Sequence, residues 1–180
     1  LWMMNNYKPK YVVGNTYHKL AQTENAANAF GPWNPAEFTV EDSAFGFIVM
    51  ENGATIYLES SWALNSLDVG EAQTTLHGTN GGADMKDGLR INGEADGMMY
   101  DKTMVLEPGG VDFYDGSGDD PAYLEAKQWI ESIQNDTEPV VSPEQALVVT
   151  QILEAIYQSA KTGAPVYINQ HKEELGKILV

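Results

Sequence analysis

Two runs of strand-forming residues flank an Asn-Gly pair, and this hairpin constrains the fold more than any other feature of the sequence. The first run covers residues 44–50 and the second covers residues 56–59, with Asn52-Gly53 between them. An Asn-Gly pair in this position predicts a tight type I′ turn, because that turn needs positive φ at both central residues. The two strands are therefore predicted to be antiparallel.

Both faces of this hairpin are predicted to be at least partly apolar. Side chains alternate between the two faces of a strand, so residues of equal parity lie together. One face has Ile48, Met50, Ile56, Leu58 and Trp62, and the other has Phe45, Phe47, Val49, Thr55 and Tyr57. One apolar face packs on the core of the domain, and a second suggests a surface for a partner.

Further strands are predicted along the chain, joined by short connections that contain glycine. They cover residues 11–17, 71–77, 89–92, 98–106, 111–114 and, late in the chain, 166–168. Parallel strands require crossovers of a dozen or more residues, so these connections predict one antiparallel sheet that grows by hairpins.

Two helices are predicted after the main run of strands. The first runs from about Pro121 to Asn135, and the second begins with Ser142 as N-cap, forms a capping box with Gln145 and ends at Gly163. Their predicted buried stripes are Tyr123, Ala126, Ile130 and Ile133 for the first helix, and Ala146, Val149, Leu153, Ile156, Tyr157 and Ala160 for the second. Strands followed by helices indicate an α+β fold, here an open, mainly antiparallel sheet with helices packed on one face. Residues 1–180 are expected to form a single domain.

The charge of the chain restricts its partners. The formal net charge is −16, from ten Lys and Arg against 26 Asp and Glu, and such a field repels nucleic acid and anionic membrane surfaces. There is no cysteine, which excludes disulfides and thiolate metal sites. No apolar run approaches the roughly 20 residues of a membrane span. We expect a cytoplasmic protein without nucleic-acid or membrane partners.

The stretch GSGDDP, residues 116–121, places a glycine-rich turn before a helix, as in a dinucleotide-binding loop. Pro121 replaces the third glycine, and Asp119 and Asp120 would repel a pyrophosphate. No second strand follows the helix. We therefore interpret Asp119 or Asp120 as the helix cap. A calcium site formed by the aspartates of residues 112–120 lacks the required alternating spacing, and no metal site is predicted.

Several polar and aromatic residues are candidates for binding. The histidines at positions 18, 77 and 171 have no metal-ligand spacing, but His18 lies where a strand leads into a long polar loop. Glu41 and Asp42 are adjacent strand residues that point to opposite faces, so at most one of them faces a site. Trp62 is either a core residue or a platform on which a sugar stacks.

Five segments of the sequence resemble the C-terminal domain of the Gfo/Idh/MocA oxidoreductases, the family of glucose–fructose oxidoreductase and inositol dehydrogenase. These segments are LWMMNN, GNTYHKL, FTVEDSAFGFIVMENGATIYLESSWALN, TTLHGTNGGA and EPVVSPEQALVVTQILEAIYQSAKTGAPVYI. They occur in the family's order over nearly the whole chain. The resemblance implies a dihydrodipicolinate reductase-like α+β domain.

The resemblance also implies a larger parent protein. Family members have an N-terminal Rossmann domain that binds NAD or NADP, and they transfer a hydride to or from a sugar, inositol or related polyol. Their catalytic Lys in an E-K-P motif and their His/Asp helix have no counterpart in this chain. We therefore assign it no catalytic and no cofactor-binding residue, and expect the isolated chain to be inactive. Residues 1–4 resemble the end of a helix, which predicts that the chain continues upstream.

The family's C-terminal domain forms much of the substrate pocket and the oligomer interface. By position, the resemblance implies substrate-binding roles for Tyr17, His18, Lys19, Trp33, Asn34, Glu59 and Trp62. The second apolar sheet face is then the surface of a homo-oligomer, with a dimer as the expected form. Two alternatives remain open: a free-standing assembly domain, and a carbohydrate-binding module that uses Trp33 and Trp62.

Overall fold

The computed structural model describes residues 1–23, 33–67, 70, 72–86, 88–104 and 120–168. The chain divides into two compact units, one of Leu1–Asn65 with Val141–Val180 and the other of Ser66–Val140. The described strands form two four-stranded antiparallel sheets and are accompanied by two α-helices. This confirms the α+β class, although the strands form two sheets where the short connections predicted one.

The described elements have the following bounds. The strands are β1 (Pro9–Tyr17), β2 (Ser43–Met50), β3 (Thr55–Ser61), β4 (Thr75–His77), β5 (Gly81–Asp84), β6 (Arg90–Ala95), β7 (Met98–Thr103) and β8 (Val166–Tyr167), and the helices are α1 (Pro121–Asn135) and α2 (Pro143–Thr162). Two single-turn 3-10 helices cover Trp2–Met4 and Pro35–Glu37. The predicted strand at residues 111–114, and the position of His171, lie outside the described residues.

The first unit contains a sheet with strand order β3-β2-β1-β8, and α2 packs on it. The parity predicted for the hairpin is confirmed: Ile48 and Met50 are buried on the α2 side, whereas Phe47 and Tyr57 on the opposite face are 48% and 66% exposed. The buried core consists of Val12, Ile48, Met50, Ile152, Ala155, Ile156, Val166 and Ile168. The sheet therefore has one covered face and one open face.

The turn between β2 and β3 differs from the predicted type I′ turn. Gly53 donates its backbone N–H to the Met50 carbonyl, and Met50 donates to the Ala54 carbonyl. Gly53 has φ of +88°, whereas Asn52 is not among the residues with positive φ. The connection is thus a three-residue loop in which a type I turn is followed by a glycine in the left-handed region. Asn52 contributes its side chain, which accepts from the Ala54 N–H.

The face of α2 that packs on the sheet also differs from the predicted stripe. The buried residues of α2 are Ile152, Ala155, Ile156 and Ser159, so of the predicted set Ile156 is buried, while Val149, Leu153 and Tyr157 are exposed. Apolar residues occur on several sides of this helix, so periodicity does not identify which side faces the sheet. The capping box of Ser142 and Gln145 and the glycine end at Gly163 are confirmed.

Two glycines determine how α2 sits on the sheet. Gly14 of β1 and Gly46 of β2 are directly paired, and the Ile156 side chain lies over both. A Cβ on Gly46 would be 2.6 Å from Ile156 Cδ1, and a Cβ on Gly14 would be 2.8 Å from Ile156 Cγ2. Ser159, one turn later, accepts the Gly14 N–H at 3.0 Å. The glycine pair thus admits Ile156 and brings α2 close to the sheet.

The second unit contains a sheet with strand order β4-β5-β6-β7, as well as α1. The sequence pattern does not predict β5, because its Gly81-Gly82 start is typical of a loop. Asp120 caps α1 by accepting from the Ala122 N–H, as predicted. The predicted buried stripe of α1 is wrong, since Tyr123, Ile130 and Ile133 are all more than half exposed.

We predict that Gly46→Ala lowers the free energy of unfolding by about 1–3 kcal/mol, because the new methyl group overlaps Ile156. Denaturant unfolding of the Gly46→Ala variant measures this cost. Repeating the substitution in an Ile156→Val background, which lacks the nearest methyl group, should reduce it to below about 1 kcal/mol. Ile156→Val alone supplies the baseline, and an equal Gly46→Ala cost in both backgrounds would contradict the packing described.

Candidate functional site

The buried carboxylate of Asp42 organises the region where β1 ends and β2 begins. The side chain is part of a residue only 2% exposed. Its Oδ2 accepts the backbone N–H groups of Leu20, at 2.7 Å, and Ala21, at 3.2 Å, and its Oδ1 accepts the Ser43 hydroxyl at 3.0 Å. The carboxylate therefore fixes the start of the loop that follows β1.

The backbone of Asp42 extends this arrangement to β3. Its N–H donates to the Tyr17 carbonyl at 2.8 Å, and its own carbonyl accepts the Trp62 N–H at 3.1 Å and the Ser61 hydroxyl at 3.1 Å. Burial opposes ionisation of Asp42, but the hydrogen bonds from Ala21, Ser43 and Leu20 outweigh it and lower the pKa of the carboxyl. Asp42 thus holds three strand ends together as an ionised group.

Three aromatic rings pack beside Asp42. The ring centroids of Trp33 and Trp62 are 5.3 Å apart, those of Phe38 and Trp62 4.5 Å, and those of Trp33 and Phe38 6.3 Å. Each indole N–H has a backbone acceptor at 2.7 Å, the Ala21 carbonyl for Trp33 and the Glu41 carbonyl for Trp62. The two tryptophans are therefore held in fixed orientations, and Trp62 remains 37% exposed.

His18 lies against the residue that precedes Glu41. Its Nδ1 is 3.2 Å from the carbonyl oxygen of Val40. A carbonyl oxygen only accepts hydrogen bonds, so Nδ1 carries a proton, and in the neutral ring Nε2 is the acceptor. His18 is exposed. We call residues 40–42 the anchor segment, because His18, Trp62 and the loop after β1 are all bonded to it.

Five of the seven predicted site residues fall into two groups. His18 and Trp62 are bonded to the anchor segment, and Trp33 packs against Trp62. Tyr17 lies on the open sheet face with its ring 6.0 Å from that of Phe45, and Phe45 pairs with Glu59 across the strands. Tyr17 and Glu59 are therefore on a different surface from the tryptophan pair.

Two predicted residues have local structures that do not place them in either group. Asn34 caps the turn at Pro35–Glu37, because its Oδ1 accepts the Ala36 N–H at 3.1 Å. Lys19 is exposed beside His18. A binding role for each of these residues stays a prediction.

The pair formed by Glu41 and Tyr157 is not indicated by the sequence pattern. The Tyr157 hydroxyl of α2 donates to Glu41 Oε1 at 2.5 Å. This hydrogen bond is the main cause of a lowered pKa at Glu41, and it raises the pKa of Tyr157. The residues are 116 positions apart, and Tyr157 was assigned to the buried stripe of α2 although it is 46% exposed. No local sequence pattern identifies such a contact.

Two properties of the described part of the chain bear on metal binding and on membrane insertion. No group of three or more His, Asp or Glu side chains there is arranged to hold a metal ion. None of its helices combines the length and the apolar character that a membrane crossing requires.

Comparison with known proteins identifies the family. A model of the oxidoreductase-family C-terminal alpha/beta domain, that of the Gfo/Idh/MocA group, matches residues 8–168. The match covers most of the chain, and the chain therefore belongs to this family, as its sequence segments indicated.

One relative and two solved structures illustrate the similarity. D-glucoside 3-dehydrogenase of Escherichia coli (strain K12) is 29% identical over 161 residues, which are 87% of this chain and 42% of the relative, so the chain spans less than half of that protein. An Agrobacterium radiobacter oxidoreductase in complex with NAD+, L-tartaric acid and magnesium superposes with a TM-score of 0.61 at 18% identity, over 91% of this chain and 44% of its own. The structure of levoglucosan dehydrogenase in complex with NADH and L-sorbose superposes with a TM-score of 0.60 at 20% identity, over 89% of this chain and 45% of its own. These two structures show the shared fold.

We predict that Asp42→Ala lowers the free energy of unfolding by about 3 kcal/mol at pH 7, because three donors lose their charged acceptor. Since folding lowers the pKa of Asp42, its stabilisation is present above the unfolded-state value of about 3.9 and is lost as the pH falls through the folded-state pKa. The difference in free energy of unfolding between wild type and Asp42→Ala, measured by denaturant unfolding, should therefore become smaller in acid. Asp101→Ala, at an exposed position on β7, is the control, and an equal effect of both substitutions would contradict the assignment.

Proposed function

We propose that this chain is the C-terminal part of an NAD(P)-dependent dehydrogenase that transfers a hydride to or from a sugar, inositol or related polyol. The observation that carries the proposal is the 29% identity with D-glucoside 3-dehydrogenase over 161 residues. Within this protein, the chain shapes the substrate pocket and the oligomer interface. We place the protein in the cytoplasm, where nicotinamide cofactors are available.

The chemistry around the anchor segment supports a polyhydroxylated substrate. A sugar has apolar C–H faces that pack on aromatic rings, and hydroxyl groups that donate and accept hydrogen bonds. Trp62 offers a partly exposed ring whose orientation is fixed by the Glu41 carbonyl. His18 adds a second polar group on the same segment, with one ring nitrogen engaged by Val40. Recognition by such groups requires no charge on the substrate.

The described residues do not fit a nicotinamide dinucleotide. Both described sheets are antiparallel, so they contain no βαβ unit that could present a glycine-rich turn and a helix N-terminus to a pyrophosphate. We therefore assign cofactor binding to a Rossmann domain elsewhere in the parent protein. The hydride-transfer step then depends on groups outside this chain, and the isolated chain is inactive in this proposal.

The first test is turnover. We expect the full-length protein that contains this chain to reduce NAD+ or NADP+ in the presence of methyl β-D-glucoside, an inositol or another polyol, measured as absorbance at the wavelength of the reduced cofactor. The 180-residue chain should show no turnover under the same conditions. Absence of activity of the full-length protein toward all of these substrates with both cofactors would refute the proposed function.

The open face of the first sheet is the proposed oligomer interface. Val13, Phe47 and Tyr57 are exposed there, and Tyr11 and Tyr167 stack beside them with ring centroids 5.5 Å apart. An apolar surface of this kind is costly in water and is stabilised when a second copy covers it. A two-fold dimer places the same patch on both sides of the interface.

We predict that Phe47→Asp weakens the oligomer of the full-length protein, because it places a carboxylate in the centre of this patch. Sedimentation velocity over a range of protein concentrations should show more monomer, with a dissociation constant at least tenfold higher than that of wild type. Val40→Asp, at an exposed apolar position outside the strands, is the matched control and should leave association unchanged. An unchanged oligomer in Phe47→Asp would remove the sheet face as the interface.

A further inference from the structure

We propose that Glu41 is a substrate-binding residue, whose carboxylate accepts hydrogen bonds from two neighbouring hydroxyls of a neutral sugar or polyol in a subsite bordered by Trp62 and His18. The inference rests on the proposed function and identifies a residue that determines which substrates the dehydrogenase binds. It also answers which of the two adjacent carboxylates, Glu41 or Asp42, faces a ligand.

Asp42 is unavailable to a ligand. It is 2% exposed, and both of its oxygens already accept hydrogen bonds from the protein. Glu41 is only partly buried and, among the described residues, accepts from a single side chain, the Tyr157 hydroxyl, on Oε1. A carboxylate has about four lone-pair sites, so Glu41 retains acceptor capacity after this bond. Of the adjacent pair, Glu41 is the residue that can meet a substrate.

Glu41 is held ionised and oriented before any substrate arrives. The Tyr157 hydrogen bond, followed by one from its own backbone N–H, lowers the pKa of the Glu41 carboxyl. An ionised carboxylate only accepts hydrogen bonds, and each hydroxyl of a diol has one proton to donate. Hydrogen bonds to a charged acceptor are about twice as strong as those between neutral groups. Tyr157 also limits the rotation of the Glu41 side chain, which reduces the entropy lost on binding.

The neighbouring groups favour a neutral, ring-shaped ligand. The Glu41 carbonyl binds the Trp62 indole N–H, so the partly exposed Trp62 ring lies beside the same residue that presents the carboxylate. His18 is bonded to the preceding residue, and its ring interacts electrostatically with Glu41. The carboxylate of Glu154 lies near enough to Tyr157 to raise its pKa further. With Glu41 and Glu154 as local negative charges, a carboxylated or phosphorylated sugar is repelled.

Glu41→Gln tests the inference, because glutamine keeps an oxygen for Tyr157 but replaces the second, charged acceptor oxygen with an amide NH2 group that only donates. In the full-length protein we expect the KM for methyl β-D-glucoside to rise about 10- to 100-fold, the effect of losing a charged hydrogen bond, with a smaller change in kcat. Isothermal titration calorimetry with the same glucoside in the presence of NADH should show a matching loss of affinity. Glu144→Gln, which removes an exposed carboxylate in the first turn of α2, 13 residues before Tyr157, is the control and should change either value less than twofold.

Deoxy analogues locate the contact. Among the 2-, 4- and 6-deoxy glucosides, the analogue that lacks a hydroxyl bound by Glu41 should bind the wild-type protein about tenfold or more weaker than the parent glucoside. In the Glu41→Gln variant, the penalty for the same missing hydroxyl should be at least fivefold smaller. Tyr157→Phe keeps the Glu41 carboxylate but raises its pKa. As the pH is lowered, the affinity of this variant for the glucoside should therefore begin to fall at a higher pH than the affinity of wild type.

The outcomes separate the two proposals. Deoxy penalties that are identical in wild type and Glu41→Gln would overturn the role of Glu41 while leaving the dehydrogenase intact. Failure of the wild-type protein to bind or oxidise any glucoside, inositol or polyol would remove the proposed function, and the role of Glu41 with it.

Discussion

Asp42 connects two segments that are far apart in sequence: the end of β1 with the loop that follows it, and the end of β3. Its carboxylate is out of water and surrounded by donors, so removing it leaves several polar groups without a partner, at a cost larger than that of most surface contacts. The positions of His18, Trp33 and Trp62 all depend on this arrangement, because each is bonded to the anchor segment or to the loop that Asp42 holds. The candidate site is thus attached to the sheet through one buried charge.

Local features of the fold could be predicted from the sequence because local chemistry determines them. The capping box at Ser142, the glycine end at Gly163 and the Asp120 cap all satisfy backbone groups within a few residues. Alternation along β2 and β3 likewise sorted the residues of the hairpin into its two faces, although both looked apolar and the pattern did not say which one α2 covers. Where several solutions satisfy the same pattern, the sequence left the choice open: a type I turn with Gly53 in the left-handed region is as compatible with Asn-Gly as the type I′ turn, and tertiary packing selected the face of α2.

The site could be predicted less completely than the fold. The family resemblance indicated His18, Trp33 and Trp62 as binding candidates, and in the structure His18 and Trp62 are bonded to the anchor segment while Trp33 packs against Trp62. The contact of Glu41 with Tyr157 links residues 116 positions apart and leaves no trace in periodicity or composition. Tyr17 and Glu59 were grouped with the others by position along the chain, but strand parity places them on the open face. Long-range contacts and side-chain direction at strand ends therefore account for what the sequence did not reveal.

The hydroxyl of Ser159 has a consequence for how the first sheet can grow. Within the described residues, β8 pairs with Tyr11 and Val12 of β1 and leaves Gly14 without a strand partner on that side. There the Ser159 hydroxyl accepts the Gly14 N–H that another strand would use. A helix side chain thus closes this stretch of the β1 edge to backbone pairing by a foreign strand, a common route to aggregation. Pairing of strands along an open edge has no natural end, so this single hydroxyl also limits how far the sheet can be extended from that side.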